Sequence, residues 1–137
     1  MQNNSMIVLP LSQPSFKPYL LTALLDWCES EGYTPYMLVS VDEATVVPRE
    51  FVNPDNTIVL CVSAEATKDL VIDDEAVTFQ ARFGEHVRNI VVPLGRIAAI
   101  YPRENTDLVS YFPVLETKSA PGKNEPEDDD LPVFTKV

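Results

Sequence analysis

One short stretch of the chain, residues 77–84, carries three polar side chains of different chemistry at every second position. They are the hydroxyl of Thr78, the amide of Gln80 and the guanidinium of Arg82. The residues between them are apolar, and alternation with period two is typical of a β-strand with one buried and one open face. Such an open face suits recognition of another chain. An ordinary strand with a solvated polar face explains the same pattern, and the strand alone favours that simpler interpretation.

No group of residues in the chain has the composition of a catalytic site. His86 is the only histidine and lies in a predicted turn, so no Ser/His/Asp triad can be assembled around it. The acidic groups Asp73-Asp74-Glu75 and Glu29/Glu31 resemble solvated charges of a turn and of a helix end. The sequence contains neither a glycine-rich phosphate loop nor metal-ligand spacing. We therefore expect no enzyme activity, no cofactor and no metal, and interpret the chain as a binding module.

The chain is acidic, with a formal net charge of -11 from 10 basic and 21 acidic residues. The excess is not confined to the C-terminal tail, because residues 1–115 already contain 7 basic and 15 acidic residues. A body with a net charge of -8 (7 − 15) lacks the positive surface that binds nucleic acid or an anionic membrane. Neither is therefore expected among its partners.

The two cysteines, Cys28 and Cys61, both lie in apolar runs, and we interpret them as small core residues. They form no CxxC pattern, so no zinc or redox motif is indicated. The first basic residue is Lys17, and the apolar run of residues 6–11 before it is short and contains Pro10. Neither a signal peptide nor a membrane span is predicted from it. The expected location is the cytoplasm.

A helix is predicted from Lys17 to about Glu31, since Pro18 is tolerated in a first turn and Gly32 suits a left-handed position after the last turn. Two apolar stripes run along this helix. The first consists of Leu20, Leu24, Trp27 and Cys28, and the second of Leu21 and Leu25. One stripe is enough to dock a helix on a sheet. The second indicates either a deeply buried helix or packing against the same helix of a second copy.

Short strand-like runs follow the helix, separated by turns rich in Pro, Gly and Asn. The predicted strands cover residues 36–41, 46–47, 57–62, 69–72, 77–83, 87–92 and 97–101. Many short strands of this kind indicate an antiparallel barrel or sandwich. We expect a mainly β domain with one N-terminal α-helix in front of a small β-barrel.

Composition divides the chain into four regions. Residues 1–16 predict a flexible arm, and residues 17–112 contain the helix and the strands. Residues 113–130 are rich in proline and acidic residues and cannot bury enough apolar surface to become ordered, so they predict a disordered linker. Hydrophobicity returns in residues 131–137, which have the composition of a short docking peptide or of an accidental apolar end.

Several stretches together resemble the stringent starvation protein B (SspB) family. They are Lys17-Pro18-Tyr19-Leu20-Leu21 with Asp26-Trp27 and Thr34-Pro35, Val47-Pro48-Arg49-Glu50-Phe51, Phe79-Gln80-Ala81-Arg82-Phe83-Gly84, Val92-Pro93-Leu94, and Ala99-Ile100-Tyr101-Pro102-Arg103-Glu104-Asn105. The resemblance covers about residues 17–105 and keeps the order and spacing. It implies an adaptor that binds the ssrA degradation tag of stalled translation products and hands tagged proteins to the ClpXP protease.

The resemblance also implies a fold and a site. The fold is a homodimer held by the N-terminal helix, with a small Sm-like or SH3-like open β-barrel behind it. The implied dimer residues are Leu20, Leu24, Trp27 and Cys28. The tag would lie extended in a groove formed by Val47, Pro48, Phe51, Gln80, Ala81, Arg82 and Phe83. Strand alternation sets Gln80 and Arg82 on the face opposite to Ala81 and Phe83, so both faces meet the tag only at a groove edge.

The end of the chain lies where the family carries a peptide that docks on the N-terminal domain of ClpX. The implied docking residues are Leu131, Pro132, Val133, Phe134 and Lys136. The segment departs from the family pattern in having Phe134-Thr135 and a single basic residue. Two alternatives remain, an Sm-like RNA-binding protein and a general peptide-binding regulatory protein, and the acidic charge opposes the first.

Overall fold

The computed structural model describes residues 13–117. Helix α1 covers Lys17–Glu31, as the sequence predicts. It ends because Gly32 adopts a left-handed conformation, with φ 77°, and donates its N–H to the carbonyl oxygens of the last turn. A 3-10 turn, Pro14–Phe16, leads into the helix where the sequence predicted part of a flexible arm. The rest of that arm lies outside the described residues.

The described strands form two antiparallel sheets. The strands are β1 (Pro35–Ser40), β2 (Thr57–Cys61), β3 (Thr67–Ile72), β4 (Ala76–Phe83), β5 (His86–Pro93), β6 (Ile97–Pro102) and β7 (Ser110–Tyr111). The first sheet has the order β2-β1-β6-β7 and the second the order β3-β4-β5. The fold is thus mainly β with one N-terminal helix.

The two described sheets do not close into a barrel, so the small β-barrel expected from the strand pattern is not a closed one. The run of residues 46–47, predicted as a strand, makes a single bridge between Val46 and Val91. It cannot continue, because Pro48 has no N–H to donate and the 3-10 turn Arg49–Phe51 follows at once. This bridge ties the segment after β1 to β5 at one residue, whereas a closed barrel needs a continuous strand pair.

One buried cluster of apolar side chains joins the helix and both sheets. It includes Leu21 of α1, Met37 of β1, Val77 and Phe79 of β4, and Ile97 of β6. The cluster fixes β4 firmly, because the first half of its inner face is almost fully buried. The second half of the same strand is only half-buried and forms part of the surface described next.

The chain turns back over the body after β7. Phe112 donates its backbone N–H to the carbonyl oxygen of Ala98, and Leu115 donates its own to Gly95 at 2.9 Å. Residues 113–117 begin the predicted linker, yet they are hydrogen-bonded to the body. Residues 118–130 and the predicted docking peptide at 131–137 lie outside the described residues.

Candidate functional site

The inner face of β4 continues past the core into an open apolar surface. Because side chains alternate along a strand, Ala81 and Phe83 lie on the same face as the buried Phe79. Both are half-buried and pack against the edge of the core. The ring of Phe83 lies 5.5 Å from that of Phe51, with 34° between the ring planes. This geometry leaves 51% of Phe51 exposed, so the pair presents apolar surface to a ligand.

Phe51 is carried by residues 42–51, which we call the groove loop. Val47 and Pro48 are buried in the middle of this loop and anchor it to the core. Arg49 donates from Nη2 to the backbone oxygens of Asp42 (3.1 Å) and Thr45 (2.7 Å), which ties the end of the loop to its beginning. Phe51 is therefore held at its place beside β4 by a hydrogen-bonded loop.

An ion pair borders the apolar surface. Arg88 of β5 lies directly opposite Ala81 in the sheet, and its Nη1 is 2.9 Å from Oε2 of Glu50 in the groove loop. The hydrogen bond from Arg88 lowers the pKa of Glu50, and the same bond raises the pKa of Arg88. Both groups are solvent-accessible, so salt screens the pair. The border combines a carboxylate and a guanidinium beside aromatic rings.

Gln80 and Arg82 lie on the other face of the same strand. Gln80 donates from Nε2 to Oδ1 of its cross-strand neighbour Asn89 at 3.0 Å. Arg82 is exposed opposite Val87. The two implied site residues are thus separated from Ala81 and Phe83 by the sheet itself, as strand alternation requires.

Sequence reasoning assigned no role to Arg88 or Glu50. The register of the β4–β5 hairpin contains the missing signal, because Phe83 pairs with His86 and the pairing then runs back to Ala81 and Arg88. A two-residue hairpin turn would have given this register from the sequence. The predicted strands 77–83 and 87–92 leave a three-residue connection at residues 84–86, which shifts every cross-strand neighbour by one position.

The four residues assigned to a dimer interface differ in their surroundings. Leu20 and Leu24 are half-buried, and Trp27 is 41% exposed with its ring 5.5 Å from that of Tyr33. Cys28 is 1% exposed and is buried in its own chain, and burial raises the pKa of its thiol. Of these four residues, only Trp27 and parts of the two leucines are therefore at the surface of the chain.

A separate cleft of about 470 Å³ lies between α1 and the edge strand β3. Its apolar lining includes Leu25, Leu70 and Ile72, and its rim carries the carboxylates of Asp26 and Glu29. It shares no lining residue with the surface around Phe51 and Phe83. This cleft is therefore separate from the family-implied site, and sequence reasoning did not find it.

Residues 13–117 contain neither a metal-ligand cluster nor a membrane-spanning helix. No group of three or more His, Cys, Asp or Glu side chains in this range has the geometry to hold a metal ion. No helix in the same range is both long and apolar enough to cross a membrane.

Comparison with known proteins relates the chain to one protein family. Residues 15–133 match the family model described as stringent starvation protein B. A Haemophilus influenzae protein named "Stringent starvation protein B homolog" is 42% identical to this chain over 98 residues. That similarity covers 71% of this chain and 65% of the relative, so the chain spans somewhat less than two thirds of the relative's length.

Proposed function

Because the chain belongs to the stringent starvation protein B family, we propose that it is an adaptor for the ClpXP protease. It binds the ssrA degradation tag of stalled translation products and delivers tagged proteins to ClpX in the cytoplasm. The observation that carries this proposal is the contact of Phe51 with Phe83 beside Ala81. An exposed pair of aromatic rings next to a small residue on a rigid strand suits an extended peptide.

The groove described by this proposal has an apolar floor and a charged border. Ala81 contributes a floor low enough for a peptide to approach, and the rings of Phe51 and Phe83 contact its apolar side chains. Glu50 and Arg88 hold each other at the border and offer one acceptor and several donors to polar groups of the peptide. Val47 and Pro48 do not contact the peptide in this proposal. Both are buried and hold the groove loop in place beneath Phe51.

Gln80 and Arg82 have a lesser part in this proposal. They lie on the far face of β4, where Gln80 already bonds to Asn89. They contact a bound peptide only where it passes the edge of the sheet. The five residues Val47, Pro48, Phe51, Ala81 and Phe83 thus form the main proposed site, with Glu50 and Arg88 added.

The adaptor acts as a homodimer in this proposal, joined through the helix surface that includes Leu20, Leu24 and Trp27. Exposed aromatic area of this kind is enriched at protein interfaces. Delivery depends on the C-terminal residues Leu131, Pro132, Val133, Phe134 and Lys136, which dock on the N-terminal domain of ClpX. Two tails on one dimer would raise the effective affinity for a ClpX oligomer.

The proposal is tested by titrating a labelled ssrA-tag peptide with the variant Ala81→Gln. A glutamine at this position fills the space above the floor, so we expect the affinity to fall at least ~10-fold. The matched control is Ala76→Gln, which makes the same change on the same strand but at a position facing the other way. Circular dichroism checks that both variants remain folded.

Equal affinities for Ala81→Gln and the parent would overturn the groove assignment. No binding by the parent protein would overturn the tag-binding function itself. An equal loss for Ala76→Gln would show that the strand, and not the groove, is what the substitution disturbs.

A further inference from the structure

The chain is held to the body where it leaves the described part of the fold. Leu115 donates its N–H to the carbonyl oxygen of Gly95 at 2.9 Å and accepts from Nη1 of Arg96 at 3.1 Å. A Cβ on Gly95 would lie 3.1 Å from the Cβ of Leu115, so only a glycine allows this close approach without displacing the neighbour. The close packing of Leu115 on Gly95 therefore depends on the absence of a side chain at position 95.

A single carboxylate completes this attachment and extends it. Oδ2 of Asp42 accepts from the hydroxyl of Thr117 at 2.9 Å and lies 3.5 Å from Nε of Arg96. Arg96 is itself 9% exposed and also donates to the backbone and side chain of Ser40. We call this set of contacts, made by Asp42, Gly95 and Arg96 with Leu115 and Thr117, the tail clasp.

The other oxygen of the same carboxylate organises the groove loop. Oδ1 of Asp42 accepts from the hydroxyl of Thr45 at 2.8 Å and from the N–H of Ala44 at 3.1 Å. Arg49 then bonds to the backbone of Asp42 and Thr45, two residues before Phe51. One side chain therefore joins the start of the tail to the loop that carries the aromatic wall of the groove.

We propose that Asp42 is a positioning residue that couples the tail clasp to the peptide groove, so that an intact clasp favours tag binding. This inference rests on the proposed function, because the groove is where the coupling is measured. The clasp holds Oδ2 of Asp42 in place, and Oδ1 accepts the hydrogen bonds that organise the groove loop. Opening the clasp allows the Asp42 carboxylate to rotate. The first residues of the groove loop then lose the orientation that this carboxylate gives them.

Coupling of this kind is reciprocal, since binding free energies form a closed cycle. A peptide bound in the groove must therefore stabilise the clasp as much as the clasp stabilises peptide binding. The N–H of Leu115 reports the state of the clasp directly, because its hydrogen bond to Gly95 belongs to it. The N–H of Val46, bonded to the carbonyl oxygen of Val91, reports the groove loop.

The experiment compares Thr117→Val with the full-length parent. The substitution keeps the shape of the side chain and removes one hydrogen bond to Asp42. We expect the affinity for a labelled ssrA-tag peptide to fall about three- to tenfold, the usual effect of one such bond. The matched control is Thr22→Val, which removes a hydroxyl bonded at the same 2.9 Å length on the exposed face of α1. The control should bind as the parent does.

Hydrogen exchange supplies two readouts that a purely local role of Thr117 would not change. Without peptide, Thr117→Val should speed exchange at both Leu115 and Val46. With peptide, the parent should show slower exchange at Leu115, although this residue lies outside the groove.

Three results would overturn the coupling: faster exchange at Leu115 alone, equal peptide affinity for the two threonine variants, or unchanged Leu115 exchange when the parent binds peptide. If the parent binds no peptide, the proposed function fails, and the peptide-free comparison of Leu115 and Val46 still decides whether clasp and loop are coupled.

Discussion

Two arginine–carboxylate pairs flank the groove loop, and they have opposite surroundings. Arg88 and Glu50 approach to 2.9 Å with side-chain exposures of 36% and 58%, whereas Arg96 and Asp42 are 3.5 Å apart with exposures of 10% and 15%. The shorter pair is the weaker one, because water and salt screen it. The longer pair is shielded and embedded in further hydrogen bonds. Burial and shared partners, more than distance, decide which pair holds the structure.

The two pairs should differ most in the loss of stability that follows when the carboxylate of each pair is removed. Asp42→Ala leaves the shielded guanidinium of Arg96 without its counter-charge, so we expect the free energy of unfolding to fall by about 3 kcal/mol. Glu50→Ala leaves Arg88 in water, and its stability should match that of the parent. Urea denaturation monitored by fluorescence of Trp27 measures both. Similar losses for the two variants would refute the contrast between the pairs.

Acid should weaken the shielded pair in a defined pH range. Burial alone would raise the pKa of Asp42, but hydrogen bonds from Thr45 and Thr117, together with Arg96, lower it overall. A carboxyl whose folded pKa lies below its unfolded value of about 3.9 stabilises the fold above that pH, and the stabilisation is lost as pH falls through the folded pKa. Asp42→Asn has no carboxyl group at this position and therefore lacks this pH-dependent contribution to the free energy of unfolding.

The stability advantage of the parent over Asp42→Asn should therefore be constant from pH 7 to about 5 and shrink below about pH 4. Urea denaturation at a series of pH values tests this, and the other carboxyls cancel because both proteins contain them. An advantage that is unchanged at pH 3 would mean that the carboxylate charge of Asp42 does not stabilise the clasp.

The smallest expected effect belongs to the exposed pair. Glu50→Gln should change the affinity for the tag peptide by less than about threefold at low ionic strength, and the difference should vanish in ~0.5 M salt. The loss caused by Thr117→Val should persist in the same salt, since its hydrogen bond is partly buried. Peptide titrations at two salt concentrations give both values. A salt-independent effect of Glu50→Gln would contradict the solvent-exposed border, because it would require contacts of the pair with the peptide that are shielded from solvent.

The helix and the central strand could be predicted from the sequence because their determinants are local. Pro18 and Gly32 set the bounds of α1, and alternation identified the buried face of β4. Cys28 was expected in two places, in the core and at a dimer surface, and the structure buries it. A stripe on a helix gives the direction of an apolar face but not what covers it.

The tail clasp could not be predicted, because its parts are distant in sequence and have no periodicity. Asp42, Arg96 and Thr117 lie in three connecting segments, and each alone resembles an ordinary polar residue of a loop. The composition of residues 113–117 predicted part of a disordered linker. In the structure, hydrogen bonds of Leu115 with Gly95 and Arg96 hold this segment to the body. The same limit explains why the sequence did not show that the two sheets stay separate. Closure of a barrel depends on strand pairs that are distant in sequence, and the strand pattern does not specify them.

The position of the clasp also determines how mechanical load would enter the protein. A pull on the tail reaches the body first at Thr117 and passes through Asp42 and Arg96, before it reaches the two-residue strand β7. Release of the clasp would free residues 113–117, up to ~18 Å of extended chain. Only after that would the short β7 peel from β6, where two residue pairs resist it. The clasp is therefore the first contact that a pull on Thr117 would break, and it lies next to the groove loop.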